Sequence, residues 1–87
     1  MTLRDAILSN DIEERNERTT QPLIIEYRLF LPIRFGDDSI FMGMCKYENG
    51  FLTSCDGDDY SLNDVINGFK YDKVQDILMV YQETSWN

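Results

Sequence analysis

Pro22-Leu23-Ile24-Ile25-Glu26-Tyr27-Arg28-Leu29-Phe30-Leu31-Pro32-Ile33-Arg34 is the stretch from which the rest of the chain is best understood. Leu23, Ile25, Tyr27, Leu29, Leu31 and Ile33 recur at every second position, and Glu26, Arg28 and Arg34 fall between them. Side chains alternate across a strand, so a period of two predicts a long, half-buried β-strand. Pro32 has no N–H to give to a ladder, which predicts an edge position or a bulge at that end.

Downstream, Phe35-Gly36-Asp37-Asp38 reads as a turn and 40–47 as a second strand, apolar on both faces and therefore expected at the sheet centre. Asn49-Gly50 is the pair favoured in type I′ hairpins, and Phe51 to Cys55 completes a three-stranded meander. With that turn Cys45 lies opposite Ser54, and both thiols are expected to be buried and reduced. A loop over 55–60 leads to Ser61 and Asp64, a capping-box pattern that predicts a short helix with Leu62, Val65, Ile66 and Phe69 inward. Val74 to Glu83 fits a buried final strand, after which Trp86 is expected to fold back onto an apolar face. Upstream, Thr2 and Asp5 form another capping-box pattern before the stripe Leu3, Ala6, Ile7. That first helix is expected to break near Ser9-Asn10, and Glu13 to Thr20 reads as a solvated connector. The sum is one α+β domain over 1–87 in the order α-β-β-β-α-β, with a four-stranded, mainly antiparallel sheet and its helices on one face.

The composition suits a single core: the chain has 87 residues, of which 43% are hydrophobic and 13% aromatic. No apolar run approaches the ~20 residues that span a bilayer, and the start is charged at Arg4, so neither a membrane helix nor a signal peptide is expected. Two cysteines are too few for a disulfide framework and point to a reducing compartment, the cytoplasm. The absence of histidine removes the commonest general base and the commonest nitrogen ligand of zinc.

The net charge of -8 is concentrated. Residues 37–64 contain Asp37, Asp38, Glu48, Asp56, Asp58, Asp59 and Asp64 against Lys46 alone, a net of -6, while 1–36 and 65–87 each carry -1. In a meander alternate loops fall at the same end of the sheet, so Asp37 and Asp38 should join Asp56, Asp58 and Asp59 there. Asp64 is expected in the first turn of the second helix, stabilised by its free N–H groups. Turn chemistry explains any one of these residues but not easily five at one end.

Three functions suit such a patch. Carboxylates can stand in for phosphates and occupy the basic surface of a nucleic-acid-processing protein. In size, charge and lack of catalytic motifs the chain resembles the small acidic inhibitors of phages and mobile elements, the anti-CRISPR and antirestriction class. That resemblance implies a basic partner such as a CRISPR nuclease, with no direct nucleic-acid contact and no cofactor. Alternatively the chain is an accessory interaction or assembly module, with homo-oligomers included, whose contact is apolar and whose acidity only maintains solubility. A third possibility is a divalent-metal protein with Asp56, Asp58 and Asp59 as oxygen donors. EF-hand spacing is absent: with Asp56 at position one, Ser61 stands where the turn glycine belongs and Asn67 where the bidentate Glu belongs. Catalysis is not expected, because exposed loop aspartates do not provide two carboxyls in contrasting environments and the cysteines have no histidine partner. The sequence Glu14 to Arg18 could hold an i, i+4 pair on a helix.

Overall fold

A computed structural model describes residues 1–33 and 36–83, and at 31–33 and 36–38 the backbone alone. The order of elements is α1 (Leu3–Ile7), α2 (Asn10–Arg18), β1 (Leu23–Ile33), β2 (Gly36–Glu48), β3 (Phe51–Ser54), β4 (Gly68–Asp72) and β5 (Ile77–Glu83). Five strands form one mixed sheet in the order β3-β2-β1-β5-β4, in which β1 and β5 are parallel and every other pair is antiparallel. The α+β class stands, whereas four strands, a mainly antiparallel sheet and a helix after the meander do not.

The alternation of β1 builds the two faces. Leu23, Ile25 and Tyr27 are buried with Cys45 of β2 and Leu78 and Val80 of β5, and α1 and α2 close this face with Leu3, Ala6, Ile7 and Ile12. Both helices therefore cover the same side of the sheet. Asn49 and Gly50 take φ of 53° and 83°, the left-handed pair that a two-residue hairpin needs, and Cys45 pairs with Ser54 as its position requires. The β1–β2 ladder slips by one residue between Tyr27 and Arg28, making Met42 the extra residue of a bulge. Pro32 pairs with Asp37 of β2, beyond Phe30↔Glu83, the last described β1–β5 pair. Ile33 pairs with Gly36, which puts Gly36, Asp37 and Asp38 in β2 and not in a turn. The centre of the sheet is β1, not β2, because β5 returns to its free edge. Phe35 and Trp86 lie outside the described residues.

The segment expected to be a helix after Ser61 makes one turn and stops. Asp64 accepts from the Ser61 N–H at 3.0 Å, as a capping box would, but the carbonyls of Leu62 and Asp64 accept from Arg4 and Leu3 at 3.0 and 2.9 Å. They satisfy the first, otherwise orphaned N–H groups of α1, and so cannot serve a helix of their own. Val65 bridges Thr2, and the Ile66 N–H reaches the Met1 carbonyl. Thr2 and Asp5 do cap α1, through Thr2 N–H donating to Asp5 Oδ2 at 2.8 Å.

The expected connector is instead helical through Arg18, after a break at Leu8–Ser9. Only Ile12 and Arg15 of α2 are buried, so its sequence looks wholly solvated. Arg15, 3% exposed, is the buried charge of this core. Its Nε and one terminal nitrogen hold the Asp76 carboxylate at 2.7 and 3.0 Å, that same nitrogen reaches the carbonyls of Gln21 and Pro22, and the other holds Asn16. Asp76 also accepts from the Tyr71 hydroxyl, and the Arg15 hydrogen bonds hold its carboxyl below the usual range. The expected Glu14–Arg18 pair is not formed, and both side chains are exposed. Among the described residues no helix is long and apolar enough to cross a membrane.

Arg15→Ala should cost about 2–4 kcal/mol in urea unfolding, since it strands Asp76 and frees two carbonyls. Arg15→Lys should recover less than half, because one ammonium cannot span the same acceptors. A loss below about 1 kcal/mol would mean that the guanidinium is dispensable.

Candidate functional site

The acidic residues do not form one cluster. The segment after β3 does run toward the same end as the start of β2, but β3 pairs only with Cys45–Glu48 while β2 continues to Gly36. Asp56 comes to rest beside Gly43 and Met44, and Asp38 lies five residues further along β2, about 16 Å at the strand rise. Asp37 and Asp38 thus occupy the tip of a hairpin arm, apart from the 56–64 loop.

Within that loop the aspartates divide by role. Asp56 is a hub: Oδ2 accepts from the Met44 N–H at 2.6 Å and the Tyr60 hydroxyl at 2.7 Å, and Oδ1 from Ser54 Oγ and the Asp58 N–H at 3.0 and 3.1 Å. The Tyr60 hydrogen bond, aided by these N–H and hydroxyl donors, holds its carboxyl down at about 2. Gly57 makes the turn with φ of 93°. Gly43 makes the approach possible, because a Cβ there would sit 2.0 Å from both Asp56 Oδ2 and the Tyr60 hydroxyl. The Tyr60 ring stacks on Tyr27, centroids 4.4 Å apart, and the Tyr27 hydroxyl donates to Asp64 Oδ2 at 3.0 Å. Burial, then the neighbouring carboxylates, pushes both phenols up, so each remains a donor. Asp56 and Asp64 are consequently the two ends of one chain, Asp56–Tyr60–Tyr27–Asp64, that fastens the loop onto the sheet.

Asp58 and Asp59 are exposed, and among the described residues neither is in an ion pair. These two are the carboxylates that the loop presents outward. The outer side of α2 adds Asp11, Glu13, Glu14 and Glu17, all exposed. Among the described residues no three His, Cys, Asp or Glu side chains are gathered as a metal site would require, and Asp56 spends both oxygens on donors within the fold. Cys45 is buried, but Cys55 is exposed, contrary to the expectation of two buried thiols: one residue beyond β3, its N–H still donates to the Met44 carbonyl at 2.9 Å while its side chain is left to solvent. Burial pushes the Cys45 thiol up to about 12.

Compared with protein-family models, with curated proteins and with solved structures, the chain matches none of them.

Two outcomes follow from this geometry. Because the folded Asp56 carboxyl lies below its ordinary value of 3.8, its contribution to stability is whole above about pH 4 and is lost as pH falls toward 2. Asp56→Asn should therefore melt below wild type at neutral pH, and the gap between their midpoints should close through that acid window. A thiol reagent should modify Cys55 in the native protein and reach Cys45 only on unfolding; equal native rates would contradict the burial of Cys45.

Proposed function

We propose that the protein is a non-enzymatic inhibitor that uses an acidic surface to occupy the basic, nucleic-acid-binding surface of a partner such as a CRISPR nuclease. It would act in the cytoplasm of the cell that harbours the phage or mobile element encoding it. The observation that carries the reading is the concentration of charge: residues 37–64 hold -6 of the -8, and Asp58 and Asp59 stand exposed and unpaired among the described residues. Carboxylates presented without local counter-ions attract Arg and Lys clusters that otherwise hold phosphates.

Within the proposed surface the six aspartates contribute differently. Asp58 and Asp59 make direct contact, Asp37 and Asp38 add a second point of contact at the hairpin arm, and Asp56 and Asp64 shape the loop that carries the first pair. A surface divided in this way suits a groove long enough to meet both the loop and the hairpin arm. Catalysis finds little support, because Asp56 is held ionised near neutral pH and has no proton to exchange.

The test is competition. Titrated into a CRISPR nuclease with a fluorescent target duplex, the wild-type protein should displace the duplex, less effectively as salt rises. Changing Asp58 and Asp59 together to Asn should weaken displacement about tenfold and flatten the salt dependence while leaving the melting temperature unchanged. Equal potency and equal salt dependence would reject the acidic surface.

A further inference from the structure

Opposite the helices the sheet has a second face that no described element covers. The registers arrange it in rows across β2, β1, β5 and β4: Lys46-Ile24-Ile77-Asp72, then Met44-Glu26-Met79-Lys70, then Phe41-Arg28-Tyr81-Gly68. The bulge at Met42 is what returns Phe41 to this face, where it is 50% exposed. At the other end of its row Gly68 has no atom within 4 Å of where a Cβ would stand, and beside it lies a cavity of about 360 Å³ lined by Phe30, Asn67, Gly68, Tyr81 and Glu83. The face thus carries a projecting aromatic ring at one side and, at the other, a recess walled by the Phe30 and Tyr81 rings with Asn67 and Glu83 at its rim.

We infer that this face is the interface of a two-fold symmetric homodimer, in which Phe41 of each copy fills the recess beside Gly68 of the other. A two-fold axis along the strands, between β1 and β5, lays β1 on the partner's β5 and β2 on its β4. Ile24 then meets Ile77, Arg28 meets the Tyr81 ring, Met44 meets the aliphatic stem of Lys70, and Lys46 meets Asp72. An axis through β1 itself would instead set Glu26 on Glu26 and Arg28 on Arg28.

The charges fit the chosen axis. Among the described residues Lys46 has no carboxylate at ion-pair distance, and Asp72 is held in place by the N–H groups of Val74 and Gln75 on Oδ1. Within one chain Lys46 and Asp72 stand three strands apart, about 14 Å, so they cannot satisfy each other. The Glu26–Arg28 pair at 2.8 Å neutralises the centre of the face before association. Four strands by three to four rows give about 1,000 Å² of total buried surface, the lower bound for a specific interface and within the range of weak, reversible association. The exposed acids of the 56–64 loop and α2 lie outside these rows, so dimerisation is independent of the proposed contact through Asp58 and Asp59.

Sedimentation equilibrium from about 10 µM to about 500 µM should give a reversible dimer of the 10.2 kDa chain. Phe41→Asp should leave the melting profile of the dilute protein intact and yield a monomer throughout. Lys46→Asp and Asp72→Lys should each weaken the dimer about tenfold, and the two together should restore it. Since the pair is out of reach within one chain, that rescue reads a contact between copies. A wild-type monomer at every concentration would overturn the proposal, as would a dimer indifferent to Phe41→Asp and to the charge changes. A monomer that dimerises only after removal of residues 84–87 would also overturn it, by assigning the face to the chain's own C-terminal residues.

Discussion

One guanidinium sets the frame of this domain. Arg15 holds the carbonyls of Gln21 and Pro22, immediately before β1, and the carboxylate of Asp76, immediately before β5. The two parallel strands at the centre of the sheet therefore begin at the same side chain, and Ile24 pairs with Ile77 one residue into β5 and two into β1. A buried charge is a costly way to gain stability, but it is a specific one: a hydrophobic residue in that place would fill space without choosing a register. The left-handed φ of 56° at Asp76 aims its carboxylate while allowing the chain to turn from β4 into β5.

The acidity of the middle of the chain has two physical meanings. Asp56 and Asp64 are committed to the fold through Tyr60 and Tyr27, and their charge is largely answered by donors of the protein itself. Asp58 and Asp59 are not, and remain as charge offered to solvent or to a partner. A loop rich in aspartate is thereby rigid at its base and acidic at its surface. Such preorganisation lowers the ordering cost of association, which otherwise consumes much of the gain from new ion pairs.

What could be read from the chain tracks how local each determinant is. The strand at 23–33, with its alternation at Leu23, Ile25 and Tyr27, the Asn49-Gly50 turn and the Thr2–Asp5 cap depend on neighbours within a few residues, and these took the form their spacing predicts. The helix after Ser61 failed because Leu62 and Asp64 give their carbonyls to α1, some sixty residues earlier, a contact no local pattern encodes. α2 was concealed because one of its two buried residues is Arg15, whose partner Asp76 is equally remote. Gly68 to Asp72 has weak strand character and forms a strand because β5 offers it an edge. At the candidate site, the net charge of 37–64 was legible and the division of labour among its aspartates was not. Gly43 was the available signal, since a glycine inside a strand marks a bulge or a close approach, and here both occur within two residues.

The parallel pairing of β1 with β5 also orders events in time. Ile24 and Ile77 are more than fifty residues apart, so the meander β1-β2-β3 can assemble from sequence neighbours well before the far side of β1 acquires a partner. During synthesis β5 follows β1 by about 3–10 s at ordinary elongation rates. Throughout that interval Ile24 to Phe30 is an unpaired, largely apolar edge in the middle of what will become the sheet, and it is the place where a nascent chain is most open to pairing with the wrong strand. Arg15 is synthesised before either strand, but it cannot align them until Asp76 arrives, so the step that completes the core is also the step that ends this vulnerability.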